Sequence, residues 1–328
     1  MKLTFQKNVK LAPLTTFQIG GDADYFFEAT NLEELKSALE EAAKKKLPFF
    51  ILAGGSNILV SDKGFEGVVI KIQNSKIKIQ NDNSRLRSTS FGGQAKFKIF
   101  CEAGVLLSQL VAKSLEIGAT GLEWAIGIPG TVGGAIVGNS GAYGHSISES
   151  VVKVKALTKT GQPKTITQKN CKFSYRESIF KRSGDIIVST VLELKRGNPQ
   201  KIKKSIQQFI QERKNKIPLQ PSAGSIFKNV ELGGQSKDLA EKIPKELIKG
   251  GKIGAGYLID QCGLKGKSVG GAKISDKHAN IIVNVNQAKA LDVLELINIV
   301  KKNVQERFDV ELELEIRLVG FDVENHLL

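Results

Sequence analysis

Seven glycines fall within the eighteen positions Gly127 to Gly144, inside the stretch LEWAIGIPGTVGGAIVGNSGAYG (122–144). Glycine at that density is too costly in backbone entropy for a packed helix, and its setting among apolar residues is too ordered for a linker. The main chain itself must then be the contact surface. A second cluster follows the apolar run LPFFILAGG, where Gly54, Gly55, Ser56 and Asn57 form a turn whose N–H groups are placed to meet a phosphate. Neither cluster is a G-x-x-x-x-G-K-[ST] loop or a well-placed G-x-G-x-x-G, so a nucleotide is suggested without either of the commonest folds. A glycine-rich strand and turn array without a ligand stays open as the alternative.

The rest of the composition narrows the class. At 328 residues the chain exceeds one typical domain, and 41% apolar residues fit a globular protein. No run of about 18 apolar residues occurs, and the start, MKLTFQKNVKLAPLTTF, carries lysines without an apolar segment, so a cytoplasmic protein with no membrane partner is expected. The three cysteines, Cys101, Cys171 and Cys262, are far apart, and with His145, His278 and His326 they give no zinc-like spacing and no disulfide framework. No metal is expected. A net charge of +15 suits either nucleic acid or an anionic substrate. The basic residues are scattered, aromatics make up 6% of the chain, and no aromatic–basic interleaving occurs, which disfavours nucleic acid.

Along the chain, DADYFFEAT reads as a strand, Asn31 caps NLEELKSALEEAAKKK as a helix, and LPFFIL returns as a buried strand, a βαβ-like beginning. A second lobe starts near residue 73, with a helix over VLLSQLVAKSLEIG. Strands VVKVKALTK and DIIVSTVLELK then flank NCKFSYRESIFKRSGD, and a basic amphipathic helix spans about 198–216. VELELEIRLVG (310–320) alternates strictly, which reads as an edge strand with Glu311, Glu313, Glu315 and Arg317 on one face. In PSAGSIFKNV (221–230), small residues allow close approach to the backbone, and Ser225 is either a turn-capping serine or one that reaches a ligand.

Four segments in order, TTFQIGGDADYF, ILAGGSNILVSD, GIPGTVGGAIVGNSGAYG with YRES, and PSAGSIFKN with LEIRLVG, resemble the UDP-N-acetylenolpyruvoylglucosamine reductase (MurB) family, in its shorter subtype. The resemblance covers about residues 11 to 320. It implies an α+β protein: a two-lobed FAD-binding domain of the vanillyl-alcohol-oxidase (PCMH) type at 1–196, with lobes of about 1–72 and 73–196. A C-terminal α+β substrate domain at 197–328 would carry an insertion at about 231–255, which is expected to be a surface loop. The cofactors implied are FAD and NADPH, and the substrate implied is UDP-N-acetylglucosamine enolpyruvate, reduced to UDP-N-acetylmuramate.

The family motifs carry roles onto matching positions. Gly54, Gly55, Ser56 and Asn57, with Gly127, Pro129, Gly130, Thr131, Gly133, Gly134, Asn139, Gly141 and Tyr143, would hold FAD. Arg176 would grip the carboxylate, Ser225 would protonate the carbon beside it, and Glu315 would hydrogen-bond the developing enol. Lys216 and Asn229 match substrate-binding positions. The chain departs from the family pattern at Ser140, at Val230 and in the insertion. Two rivals stand beside this reading: another flavin oxidase on the same scaffold, and a basic nucleic-acid binder. The first is disfavoured in its covalent-flavin form, because neither glycine cluster contains a His flavin anchor in 54–57 or 127–143.

Overall fold

The computed structural model describes residues 3–81, 96–233, 239 and 243–321. The chain is α+β and forms two compact units. One comprises Met1–Lys7, Tyr25–Gly54 and Gly67–Arg213, the other Asn8–Asp24, Gly55–Glu66 and Lys214–Leu328.

In the first unit the helix Leu32–Lys44 begins as its sequence dictates. The Asn31 side chain accepts the Glu34 N–H at 2.9 Å, and Leu35, Ala38, Leu39 and Ala42 recur at helical spacing to form its buried face. The strand Phe49–Leu52 lies parallel to Phe65–Ile72, with Phe49 opposite Val68, in a sheet completed by Asp22–Ala29 and Gln6–Lys10. A second, antiparallel sheet runs in the order Pro163–Thr167, Val151–Leu157, Ile186–Arg196, Lys96–Glu102, Ile77–Asn81. Its apolar face packs on the helix Leu107–Glu116 through Leu107, Leu110 and Val111 in one continuous core.

The glycine-rich stretch departs from expectation, because Val132–Val137 is a short helix. A Cβ on Gly133 would lie 2.9 Å from the Ala103 Cβ, so glycine there lets the helix close onto the neighbouring strand end, and packing offsets the propensity penalty.

The second unit has its own core. The strands Ser222–Ser225, Ile281–Asn284, Ala272–Ile274 and Ser268–Val269 form an antiparallel sheet, covered by the helix Ala290–Phe308 through Val293, Leu296, Ile297, Val300 and Val304. The Asp62 carboxylate accepts the Ala290 and Leu291 N–H groups at 2.8 and 3.2 Å, satisfying donors that a helix start leaves unpaired. Ile58–Val60 pairs in parallel with Arg317–Val319.

Two expectations are corrected here. Of VELELEIRLVG, only Arg317–Val319 joins a ladder. Val310, Leu312 and Ile316 do alternate inward, but the run before the ladder lies along Ile226–Lys228, with Glu315 N–H to Ile226 O and Lys228 N–H to Glu313 O both 2.8 Å. Residues 231–255, expected as a surface-loop insertion, do more than form a surface loop where they are described. Ile248–Lys249 and Lys252–Ile253 pair with each other and with Val230–Glu231, while Leu239, Ile243 and Ile253 enter the core. Residues 234–238 and 240–242 lie outside the described residues.

Candidate functional site: two glycine turns and a serine strand

The turn after Phe49–Leu52 meets the second glycine cluster backbone to backbone. A Cβ on Gly54 would fall 2.6 Å from the Gly130 Cα. Gly130, at φ +123, is fixed in turn by Leu107 N–H to its carbonyl at 3.1 Å. Val132 N–H to Val105 O and Gly133 N–H to Ala103 O, both 2.8 Å, anchor the chain that follows, and the Thr131 hydroxyl accepts the Gly134 N–H at 3.3 Å. Gly54, Pro129, Gly130, Thr131, Gly133 and Gly134 are thereby gathered, and the contact surface at Gly54 and Gly130 is peptide rather than side chain.

Gly127, at φ +73, and Tyr143, at φ +56, sit against the helix Pro199–Lys216. The Tyr143 ring lies 4.5 Å from that of Phe209, with the Arg213 guanidinium 5.6 Å from its centroid, and a Cβ on Gly127 would lie 3.0 Å from the Arg213 Cδ. Burial pushes the Tyr143 phenol above its ordinary pKa, an effect the Arg213 charge partly opposes, and burial pulls Arg213 below its own.

The Arg213 Nε is buried with no hydrogen-bond partner among the described residues. A buried donor left this way costs about 1–3 kcal/mol, so the niche suits a bound group that carries acceptor oxygens or nitrogens. Together with the peptide surface of Gly54 and Gly130, this fits a dinucleotide cofactor such as FAD.

Two further predicted residues serve the scaffold in visible ways. Asn139 is buried at φ +41, donates to Ser174 O at 2.8 Å and accepts the Ser148 N–H at 3.3 Å. With Ser178 Oγ donating to Val137 O at 2.7 Å, it ties the glycine stretch to the loop that holds Arg176. Gly141 is dictated by its hairpin, since a Cβ there would lie 2.3 Å from His145 O. Arg176 stands at φ +55 within a tight reversal closed by Ser174 and Glu177, and its guanidinium covers the Tyr175 ring at 5.4 Å.

In the second unit Gly55, at φ +60, packs so tightly that a Cβ would sit 2.3 Å from Leu14 O. Its carbonyl accepts the Thr16 N–H at 3.0 Å, and the Thr16 hydroxyl donates to Ser222 O at 2.7 Å. Asn57 donates through Nδ2 to Glu315 O at 3.0 Å, and Arg317 N–H returns to Asn57 O at 3.0 Å. Ser225 ends a bulged strand after Gly224, which is at φ +76 with open space where a Cβ would project. The local side-chain bond of this turn belongs to Ser222, whose Oγ accepts the Gly224 N–H at 3.4 Å. Because Ile226 O accepts the Glu315 N–H, Ser225, Glu315 and Asn57 share one backbone network. Asn229 accepts the Ala255 N–H at 3.3 Å, and Lys216 ends its helix exposed.

Sequence reasoning missed Thr16, Arg213 and Asn280. Each had a signal, in TTFQIGG, RKNKIP and KHANIIVN, but their partners lie far away in the chain. His278, two positions before Asn280, accepts the Asn280 N–H on Nδ1 at 3.3 Å. Burial, with Lys265 adding to it, holds this imidazole below its ordinary pKa and so in the neutral form that can accept.

The glycine geometry separates two variants. Gly54→Ala must push against Gly130 main chain, so it should lower stability by roughly 1–3 kcal/mol and lose flavin as a consequence. At Gly134 the nearest atoms to a Cβ are Ala53 Cβ at 3.6 Å and Thr131 Oγ1 at 3.8 Å, ordinary contacts, so Gly134→Ala should fold normally and weaken flavin retention alone. Thermal unfolding and flavin absorbance of both variants check this. Unchanged stability in Gly54→Ala would refute the packing, and full flavin in Gly134→Ala would remove that residue from the cofactor surface.

Comparison with known proteins places this arrangement. Residues 23–167 match the model for "FAD binding domain", and residues 215–319 match that for "UDP-N-acetylenolpyruvoylglucosamine reductase, C-terminal domain". The chain is 41% identical over 307 residues to the UDP-N-acetylenolpyruvoylglucosamine reductase of Caldanaerobacter subterraneus subsp. tengcongensis, covering 93% of this chain and 90% of that protein. The protein of that name from Clostridium novyi is 34% identical over 325 residues, 99% of this chain and 95% of its own length. The crystal structure of UDP-N-acetylenolpyruvylglucosamine reductase (MurB) from Thermus caldophilus superposes with a TM-score of 0.72 at 31% identity, over 96% of this chain and 100% of that one. With a full-length match in sequence, two domain models in order and one shared fold, the chain belongs to the UDP-N-acetylenolpyruvoylglucosamine reductase family.

Proposed function

We propose that the chain is an NADPH-dependent flavoenzyme that reduces the enolpyruvyl ether of UDP-N-acetylglucosamine to the lactyl ether of UDP-N-acetylmuramate, a peptidoglycan precursor. The observation that carries this is the match over 93% of the chain to a relative of that name. FAD, when bound, would supply the hydride that adds to the terminal carbon of the enolpyruvyl double bond, with NADPH as its source. Every other requirement falls on side chains. Saturation at the terminal carbon drives negative charge into the neighbouring carboxylate, which calls for a cation and then a proton.

We assign the cation to Arg176, whose planar fork matches a carboxylate at two points. Ser225 donates the proton to the carbon beside that carboxylate, and Glu315, in its acid form, hydrogen-bonds the enol oxygen. The shared backbone network of Ser225 and Glu315 supports pairing them in one step. Lys216 and Asn229 take the nucleotide-sugar portion of the substrate. Gly54 to Asn57 and Gly127 to Tyr143 hold FAD, a role supported by the peptide surface at Gly54 and Gly130 and by the unsatisfied Arg213 Nε.

The division of labour between a cofactor domain at 1–196 and a substrate domain at 197–328 belongs to the same proposal, supported by the order of the two family models. So does a cytoplasmic setting with small-molecule partners only. No helix among the described residues is long and apolar enough to cross a membrane, and the net charge of +15 suits a substrate bearing a diphosphate and a carboxylate. The purified protein should be yellow and should oxidise NADPH only when UDP-N-acetylglucosamine enolpyruvate is supplied, followed by NADPH absorbance. A colourless protein with steeply salt-dependent DNA binding would favour the nucleic-acid reading instead.

A further inference from the structure

Asn280 is a buried polar residue, 3% exposed, that no step above uses. Its side chain closes a two-point clamp on the main chain of one residue: Oδ1 accepts the Phe227 N–H at 2.9 Å, and Nδ2 donates to Phe227 O at 2.8 Å. Its own carbonyl accepts the Ile226 N–H at 2.9 Å. Three bonds from one residue therefore fix the two residues that follow Ser225. The other edge of the same segment carries Glu315, through its N–H to Ile226 O at 2.8 Å, and the single bridge of Phe227 to Leu314. Ser225 itself follows a bulge and a glycine at φ +76 and pairs with Ile281, the residue next to Asn280.

We propose that Asn280 is a positioning residue for proton delivery: its carbonyl holds the Ile226 N–H next to Ser225, and its side chain, by fixing Phe227, sets the Ile226–Phe227 peptide whose carbonyl takes the Glu315 N–H. The proposal rests on the assignment of Ser225 as the proton donor. Only an amide can do this at all pH values, because the clamp needs one donor and one acceptor on the same planar group. An isosteric carboxyl reproduces it only when protonated. Ionised, it would face the Phe227 carbonyl with a second negative oxygen, and burial disfavours that form. A displacement near 1 Å at a reacting group costs on the order of 10²-fold in rate, so a released clamp has a measurable consequence.

The test is stopped-flow measurement of both half-reactions in Asn280→Asp holoenzyme from roughly pH 6 to roughly pH 9, with each rate taken relative to wild type. Taking the ratio cancels the titration of His278 beside Asn280 and of Lys228, Glu313 and Glu315 on the flanking segments. Reduction of the flavin by NADPH should stay within about twofold of wild type. Reoxidation by the enolpyruvyl substrate should be at least about tenfold slow at high pH and should recover toward wild type as pH falls. Equal slowing of both halves, or a reoxidation ratio that ignores pH, would assign Asn280 a purely structural role and overturn the proposal.

Ser225→Ala is measured alongside. Slow reoxidation there with a normal Asn280→Asp defeats the clamp alone, whereas normal reoxidation in Ser225→Ala defeats the donor assignment and the clamp with it. Should Asn280→Asp not fold, hydrogen exchange on the wild-type holoprotein decides. Amides of Ile226 and Phe227 are expected to exchange as slowly as those of the core strand Ile281–Asn284, and exchange as fast as at Leu219, which is 91% exposed, would overturn the proposal.

Discussion

Replacing Ser225 with alanine is expected to leave flavin reduction by NADPH almost unchanged while slowing reoxidation by the enolpyruvyl substrate roughly 10²–10⁴-fold. The two halves separate because the first needs only the cofactor and a docking place for NADPH, whereas the second ends with a proton on carbon. Alanine has none to give. Substrate affinity should survive the loss of one oxygen, since Arg176, Lys216 and Asn229 are unaltered. The competing role, a serine that caps its turn, predicts about 1 kcal/mol of lost stability with both halves intact. The structure already gives that local bond to Ser222 rather than Ser225, so little destabilisation is expected. Stopped-flow rates for each half-reaction decide the matter, and reoxidation within about threefold of wild type would remove Ser225 as the donor.

Arg176→Lys should cut kcat/KM for the enolpyruvyl substrate about 10- to 100-fold although the charge is kept. A carboxylate gripped at two points by a planar fork loses one charge-assisted hydrogen bond and its orientation when it faces a compact ammonium. The residue stands at φ +55, where any non-glycine side chain is strained, and lysine inherits the same strain, so the substitution should not change stability through the backbone. KM for NADPH should not move. Wild-type kinetics in the variant would remove Arg176 as the carboxylate's partner and leave it only its place in the Ser174–Glu177 reversal.

Local signals in the sequence were enough for the elements whose causes are local. Asn31 as a cap, the buried faces of Leu32–Lys44 and Leu107–Glu116, and the basic helix Pro199–Lys216 all follow from residues within a few positions of one another. Where a distant partner decides, the pattern misleads. The glycines of Val132–Val137 argued against a helix because Ala103, which leaves no room for a side chain on Gly133, is remote in sequence. The alternation of VELELEIRLVG was real as burial and wrong as a long strand, since Ile226–Lys228 supplies two hydrogen bonds where a full ladder was expected. Likewise the motif residues Ser225, Asn57 and Glu315 could each be picked out singly, but the Asn280 clamp and the Thr16 link to Ser222 are contacts of tertiary structure only.

The pairing of Ile58–Val60 with Arg317–Val319 bears on how the protein is made. Leu59, wholly enclosed in the finished molecule, emerges from the ribosome long before the strand that will lie beside it. At about 5–20 residues per second, that interval is roughly ten to fifty seconds. Throughout it, one edge of Ile58–Val60 offers unpaired peptide groups and apolar side chains to whatever is nearby. Parallel pairing across such a separation is also slow to form, because the whole intervening chain must be ordered first. The nascent polypeptide is therefore a natural client for a chaperone that holds short apolar strands, and a transcript broken just before the codon for Arg317 would yield a product in which Ile58–Val60 lacks its partner strand.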